Sequence, residues 1–110
     1  MVDDRIKRTE STVRTAGDIP EERKVEVLGL LGQLRSRIRG LSETHQEDAD
    51  SIARFVEASA HEATRASKKP GLLQTALSGL KQSVQGFEAS HPEMVETVNK
   101  FATALANMGL

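Results

Sequence analysis

Apolar residues recur along this chain with alternating spacings of three and four positions. On an α-helix, where successive residues are about 100° apart, each such series falls on one narrow stripe. One series runs from Val27 to Leu41, and another runs from Met94 to Met108. Such stripes are typical of helical bundles and coiled coils, and no segment alternates as a strand would, so the pattern predicts an all-α fold. The residues expected in the core or interface are Leu31, Leu34, Ile38, Leu41, Leu77, Leu80, Val84, Phe87, Val98, Phe101 and Leu105.

Three prolines, Pro20, Pro70 and Pro92, mark expected helix starts. Proline suits the first turn of a helix because the N–H group that it lacks would have no intrahelical partner there. We therefore expect one domain over 1–110, a small antiparallel helical bundle or set of coiled-coil-like hairpins with about four or five helices. The expected helices are 1–17, which would lie at the periphery, 19–41, 45–66, 71–90 and 92–108.

The junction between the second and third helices, Ser42–Thr44, contains neither glycine nor proline. The sequence therefore fits either a break between the two helices or one continuous helical rod. In such a rod, His45 and Asp48 would occupy consecutive positions of the apolar stripe. Two polar residues at consecutive positions of the stripe favour the break. Thr44 and Glu47 have the spacing of a capping box for a new helix.

Gly29, Gly32 and Gly40 lie in or beside the second helix. Each glycine inside a helix costs about 0.5–1 kcal/mol relative to alanine. They indicate either close helix packing or breaks, and the sequence leaves both open.

The predicted core is thin, because the first and third helices carry threonine and alanine where leucine is usual. Small helical chains build little core, so a partner would have to cover what remains exposed. We expect a homodimer, with another helical protein as the alternative partner.

Composition narrows the function classes. Charged residues make up 28% of the chain and the net charge is -1, so no basic surface for nucleic acid is expected. The chain has no cysteine, which excludes disulfides and thiolate zinc sites and fits the cytoplasm. The apolar run Val27–Gly32 is too short to span a membrane, and the N-terminus lacks the apolar core of a signal peptide.

Glu88 and His91 have the Glu-x-x-His spacing with which di-iron bundles bind metal. However, Pro92 follows directly, and proline disfavours a helical conformation at the residue before it. Ser90 and Glu93 would instead form a capping box for the last helix. We therefore expect a helix-to-helix corner and no metal, with metal binding as an alternative function.

Two further expectations concern the position of His91 and a second pair of possible metal ligands. His91 should lie at a bend, partly exposed, with Phe87 buried beneath it. Glu57 and His61 could join a metal site, but their i,i+4 spacing is more typical of a solvated surface pair.

Arg35, Arg37 and Arg39 form the densest basic cluster. They could contact phosphate or nucleic acid, but a solvated helix face is the expected interpretation. No phosphate-binding loop, nucleophile elbow or zinc-protease motif is present. We therefore expect neither enzymatic activity nor a cofactor.

The C-terminal 40 residues or so resemble a family of small bacterial helical proteins known only as a domain of unknown function. That family ends in Phe-Glu-x-x-His-Pro, an amphipathic helix, and then Leu-Ala-x-Met/Leu-Gly-Ile/Leu. The resemblance implies a small cytosolic helical protein and brings no ligand or catalytic residue. The matching residues are Phe87, Glu88, His91, Pro92, Leu105, Ala106, Met108, Gly109 and Leu110.

The sequence therefore predicts a non-enzymatic helical module with a role in protein–protein interaction or a structural role. Metal binding through Glu88 and His91 is the first alternative. Phosphate or nucleic-acid contact through the arginine cluster is the second.

Overall fold

The computed structural model describes residues 2–109, and all of its regular structure is helical. Expected and observed helix ends agree to within two residues, except at the end of the fourth helix. Each of the three prolines lies at or directly before a helix start, as predicted. The helices are α1 (Val2–Thr15), α2 (Glu21–Ser42), α3 (Gln46–Thr64), α4 (Pro70–Ser83) and α5 (Pro92–Gly109).

α3 lies at the centre of the fold and contacts all four other helices. α2, α3, α4 and α5 form a bundle, and α1 packs against α2 and α3 only. The links between successive helices are short, as in antiparallel bundles. None of the helices within residues 2–109 combines the length and the apolar character needed to cross a lipid bilayer.

The core follows the stripes that the sequence pattern indicates. Phe101, the largest fully buried side chain, belongs to one hydrophobic cluster to which all five helices contribute. Of the eleven residues expected in the core or interface, ten are buried. The eleventh, Phe87, is half-buried and packs against the edge of the core.

The fourth helix is shorter than expected, because it ends at Ser83 and not near residue 90. Gly86 has a φ angle of 98°, in the left-handed region that favours glycine and interrupts a helix. Tight turns replace the helix, and the Phe87 N–H donates to the Val84 carbonyl oxygen at 3.1 Å. Val84 and Phe87 therefore reach the core from a loop and not from a helix.

α1 lies on the outside of the bundle, but it is not loosely attached. Ile6 and Val13 are fully buried between α2 and α3, and Thr9 is nearly so. The sequence pattern predicted a thin core. α1 supplies part of the apolar side chains that complete it.

The break between α2 and α3 is confirmed, although its chemistry differs from the prediction. The residue preceding α3 is His45, whose carbonyl oxygen accepts the Ala49 N–H at 2.9 Å. The expected capping box of Thr44 and Glu47 is wrong, because the Thr44 hydroxyl lies 2.8 Å from His45 Nδ1. The chain turns here without a side-chain cap.

The glycines of α2 neither break the helix nor pack closely within the chain. α2 runs without interruption through Gly29, Gly32 and Gly40. A Cβ atom added at any of the three would have no other atom within 4 Å. Their helix-propensity cost is therefore not offset by any intrachain contact at those positions.

The single chain is as compact as an ordinary monomer. Its accessible surface is 6070 Å². A folded monomer of this mass is expected to expose about 6,000 Å². The thin core that led us to expect a homodimer is therefore not observed, and the dimer stays a prediction.

Two arginines attach α1 to α3 by holding one carboxylate. Arg5 Nη1 and Arg8 Nε donate to the two oxygens of Glu57 at 2.7 and 3.2 Å. Burial raises the pKa of Glu57, but the hydrogen bonds from Arg8 and Arg5 outweigh it, so this pKa lies below its ordinary value. The charged form of Glu57 therefore stabilises the folded state.

We expect Glu57→Gln to lower the free energy of unfolding by about 0.5–1 kcal/mol at pH 7, since the pair is partly exposed. A carboxyl with a depressed folded pKa contributes above its unfolded pKa and loses that contribution as the pH falls through the folded value. The difference from wild type should therefore shrink towards zero at pH 3. Urea unfolding at both pH values measures it, with Asp18→Asn, an exposed carboxylate in the turn before α2, as control. A difference that is the same at both pH values would contradict this assignment.

At Gly79 the backbone of α4 lies against a side chain of α3. A Cβ atom there would overlap the ring of Phe55, a partly exposed side chain of α3. The ring therefore lies directly on the α4 backbone. This contact requires glycine for space alone, because Gly79 does not have a positive φ angle.

We expect Gly79→Ala to destabilise the fold by about 1–2 kcal/mol, because overpacking outweighs the helix propensity gained. Gly32→Ala, at an open helical position, should stabilise it by about 0.5–1 kcal/mol. In a Phe55→Ala background, the cost of Gly79→Ala should disappear. Chemical denaturation of the four variants tests this. Equal effects of alanine at positions 79 and 32 would show that the contact does not constrain the fold.

Candidate functional site

An aromatic cluster joins two corners at one end of the bundle. His45 lies between α2 and α3, whereas Phe87 and His91 lie between α4 and α5. The Phe87 ring centroid is 5.4 Å from that of His45 and 5.7 Å from that of His91. The two imidazole centroids are 6.3 Å apart, and all three pairs meet edge to face. The cluster therefore attaches one helical hairpin to the other.

The two corners share one local structure, in Leu41–His45 and in Phe87–His91. In each, the histidine N–H donates to the carbonyl oxygen four residues earlier, at 2.8 and 2.7 Å respectively. In each, the hydroxyl before the histidine lies within hydrogen-bond distance of its Nδ1 atom, at 2.8 and 2.9 Å. The common pattern is an apolar residue, two variable residues, Ser or Thr, and then His.

Sequence reasoning missed this pairing of His45 with His91. No local periodicity connects them, because they lie in different helical hairpins. The repeated spacing of apolar residue, hydroxyl and histidine was the available signal, and it becomes visible only when the two corners are aligned.

The corner at Glu88-x-x-His91 is not arranged as a metal site. Glu88 Oε1 accepts the Gly86 N–H at 2.7 Å, and His91 Nδ1 faces the Ser90 hydroxyl. Within the part of the chain that the structure describes, no group of three or more His, Cys, Asp or Glu side chains could hold a metal ion. His91 is half-buried at a bend, as expected, but Phe87 is only half-buried.

The second pair considered for metal has other contacts. The carboxylate of Glu57 is bound by the two arginines of α1, whereas His61 Nε2 lies 3.9 Å from a carboxylate oxygen of Glu62. His61 is exposed, in agreement with a surface position.

The capping box expected before α5 is wrong. α5 begins at Pro92, and the His91 carbonyl oxygen accepts the Val95 N–H at 3.2 Å. The Glu93 carboxylate, which was expected to reach back to Ser90, lies 2.7 Å from Arg37 Nη1 on α2. This ion pair connects the start of α5 to α2.

The other two arginines of the basic cluster connect α2 to α1. Arg35 Nη1 donates to Glu10 at 3.2 Å, and Arg39 binds both oxygens of Asp3, at 3.2 and 2.6 Å. The hydrogen bond from Arg39 lowers the pKa of Asp3 below its ordinary value. Arg35 is half-buried, so the expected solvated face is wrong for that residue.

All three arginines of the cluster are therefore paired with carboxylates of the same chain. A phosphate group would have to displace those carboxylates. The basic cluster therefore has a structural role, because its three ion pairs connect α2 to α1 and α5.

A groove between α2 and α5 has a volume of about 840 Å³. Val25 at its edge is 64% exposed, and Leu30 and Val95 are half-buried beside it. Gly29 leaves the α2 wall open. The residues that line this α2/α5 groove are Val25, Glu26, Gly29, Leu30, Gln33, Glu88, Pro92, Val95, Glu96, Asn99, Lys100, Thr103, Ala104 and Asn107.

No curated protein and no solved structure matches this chain. A family model described as a domain of unknown function (DUF4404) matches residues 27–110. The matched residues include both histidine corners and the α5 wall of the groove, whereas α1 and the first residues of α2 lie outside them. Since the match covers most of the chain, the chain belongs to this DUF4404 family, and the expected resemblance to a domain of unknown function is confirmed.

Proposed function

We propose that this protein is a non-enzymatic interaction module that binds a helix of a partner in the α2/α5 groove. The observation that supports the proposal is the groove itself, which leaves apolar side chains of two helices open along their shared edge. α1 covers the edge between α2 and α3, but it makes no contact with α5. A partner helix would cover the α2/α5 edge as α1 covers the other.

The dimensions suit a helix. The α5 wall extends from Pro92 to Asn107, which is about 22 Å of helix at 1.5 Å per residue. A partner segment of about four turns matches that length and would place apolar residues at i, i+3, i+4 and i+7 in the groove. Gly29 allows the partner backbone to approach the α2 wall closely.

The charged groups of the groove already have partners in the chain, which supports a binding role over a catalytic one. Lys100 Nζ lies 3.0 Å from Glu96, and Arg23 Nη1 lies 3.6 Å from Glu26. Glu88 accepts the Gly86 N–H.

The compartment that we propose is the cytoplasm, which suits a chain without cysteine.

The helix in the groove would come from a second copy of this chain or from another helical protein. Both occupants use the same surface, so one substitution should prevent both. A Cβ atom at Gly29 would have open space around it, so the side chain of Gly29→Leu would extend into the groove.

We expect Gly29→Leu to weaken binding of a partner helix about tenfold or more by steric exclusion, while the free energy of unfolding stays equal or rises. Sedimentation equilibrium measures self-association, and fluorescence anisotropy measures binding of labelled amphipathic model helices. Gly71→Leu, the same change at an open position on α4, is the matched control and should change neither result. A wild-type chain that stays monomeric up to millimolar concentration and binds no model helix would refute the proposal.

A further inference from the structure

We propose that the helix bound in the α2/α5 groove is a basic amphipathic helix of another protein, and not a second copy of this chain. This inference rests on the proposed function, because it assigns the chemistry of the partner that the groove receives. The charged side chains that line the groove are predominantly negative, and they favour a positively charged partner.

Three carboxylates and one ammonium group line the groove. The carboxylates are those of Glu26, Glu88 and Glu96, and the ammonium group is that of Lys100. Arg23 compensates part of this charge, but it lies 3.6 Å from Glu26 on exposed surface and is not itself part of the lining. The groove therefore has an apolar floor with a negative border.

Glu88 contributes most clearly to this negative border. Its Oε1 atom accepts the neutral N–H group of Gly86, and no cationic side chain within residues 2–109 forms an ion pair with it. It is exposed at the end of the groove where α5 begins. A cationic side chain of a bound helix could approach it without displacing an intrachain ion pair.

A second copy fits this surface poorly. In a two-fold symmetric dimer, the same patch lies on both sides of the interface. Two such grooves face to face would bring six carboxylates together with two ammonium groups and the two neighbouring guanidinium groups of Arg23, so negative charge would remain in excess. Like charges across an interface oppose association, whereas opposite charges favour it and determine the choice of partner.

The single chain also has no need of a second copy. Its accessible surface of 6070 Å² is what a compact monomer of this mass exposes. The apolar surface that remains open is narrow and lies between two helices, a shape that takes one helix better than it takes a bundle.

The partner's chemistry follows from this arrangement. Its apolar residues would contact Leu30, Val95 and Ala104 along the floor. Lysine or arginine residues beside that stripe would lie over Glu26, Glu88 and Glu96, with their aliphatic stems on the apolar surface.

Three labelled model helices of about 18 residues provide the test, with one shared apolar face and net charges of about +5, 0 and −5. At about 50 mM salt the basic helix should bind the protein at least about fivefold more tightly than the neutral one, and this advantage should shrink at about 500 mM. The triple variant Glu26→Gln, Glu88→Gln and Glu96→Gln should remove most of the advantage.

The matched control changes the same number of carboxylates away from the groove. Glu43→Gln, Glu47→Gln and Asp48→Asn are exposed positions that leave the net charge equal to that of the groove variant. The control should retain the preference for the basic helix. Gly29→Leu should weaken binding of the basic helix, which separates binding in the groove from general attraction to an acidic surface.

Other outcomes separate the two proposals. Equal affinity for the three helices, blocked by Gly29→Leu, would overturn the inference and leave helix binding intact. Self-association that is blocked by Gly29→Leu, with no peptide binding, would also overturn the inference, because the occupant would be a second copy. A preference lost equally in both triple variants would overturn it too. Absence of any peptide binding and of self-association would overturn both proposals.

Discussion

The small side chains on one broad face of α3 determine the arrangement of the other helices. Ala49, Ala53, Ala60 and Ala63 are buried there, and Ile52 and Val56 fill the space between them. Alanine leaves room for a neighbouring backbone to approach closely, so α3 can contact α1, α2, α4 and α5 at once. At Gly79 the Phe55 ring occupies the space that a side chain on α4 would fill.

This central position of α3 determines which surfaces remain free. α2 uses one stripe for the core and a second side for α1, held by the pairs of Arg35 with Glu10 and of Arg39 with Asp3. Another side of α2, which carries Val25 and Gly29, borders the groove beside α5. The groove is therefore a consequence of how four helices share α3, and the same geometry that completes the core leaves this edge uncovered.

The sequence predicted most of the fold because helical periodicity depends on local spacing alone. It failed where the outcome depended on contacts between distant segments. The alanines of α3 indicated a weak core, yet they permit the close packing that completes it. Glu93 matched a capping box, but an ion pair with Arg37 outcompetes the local bond. The pairing of His45 with His91, and the groove itself, depend on the positions of whole helices, which the residue spacing within one helix does not determine.

The central claim is that the edge between α2 and α5 is the binding face of this molecule. Residue-resolved amide chemical shifts, recorded while a basic amphipathic helix is added to the labelled protein, test it most directly. The account predicts shift changes concentrated in residues 25–33 of α2 and 92–107 of α5. Shift changes concentrated on α1 and α4, with those two segments unaffected, would contradict it.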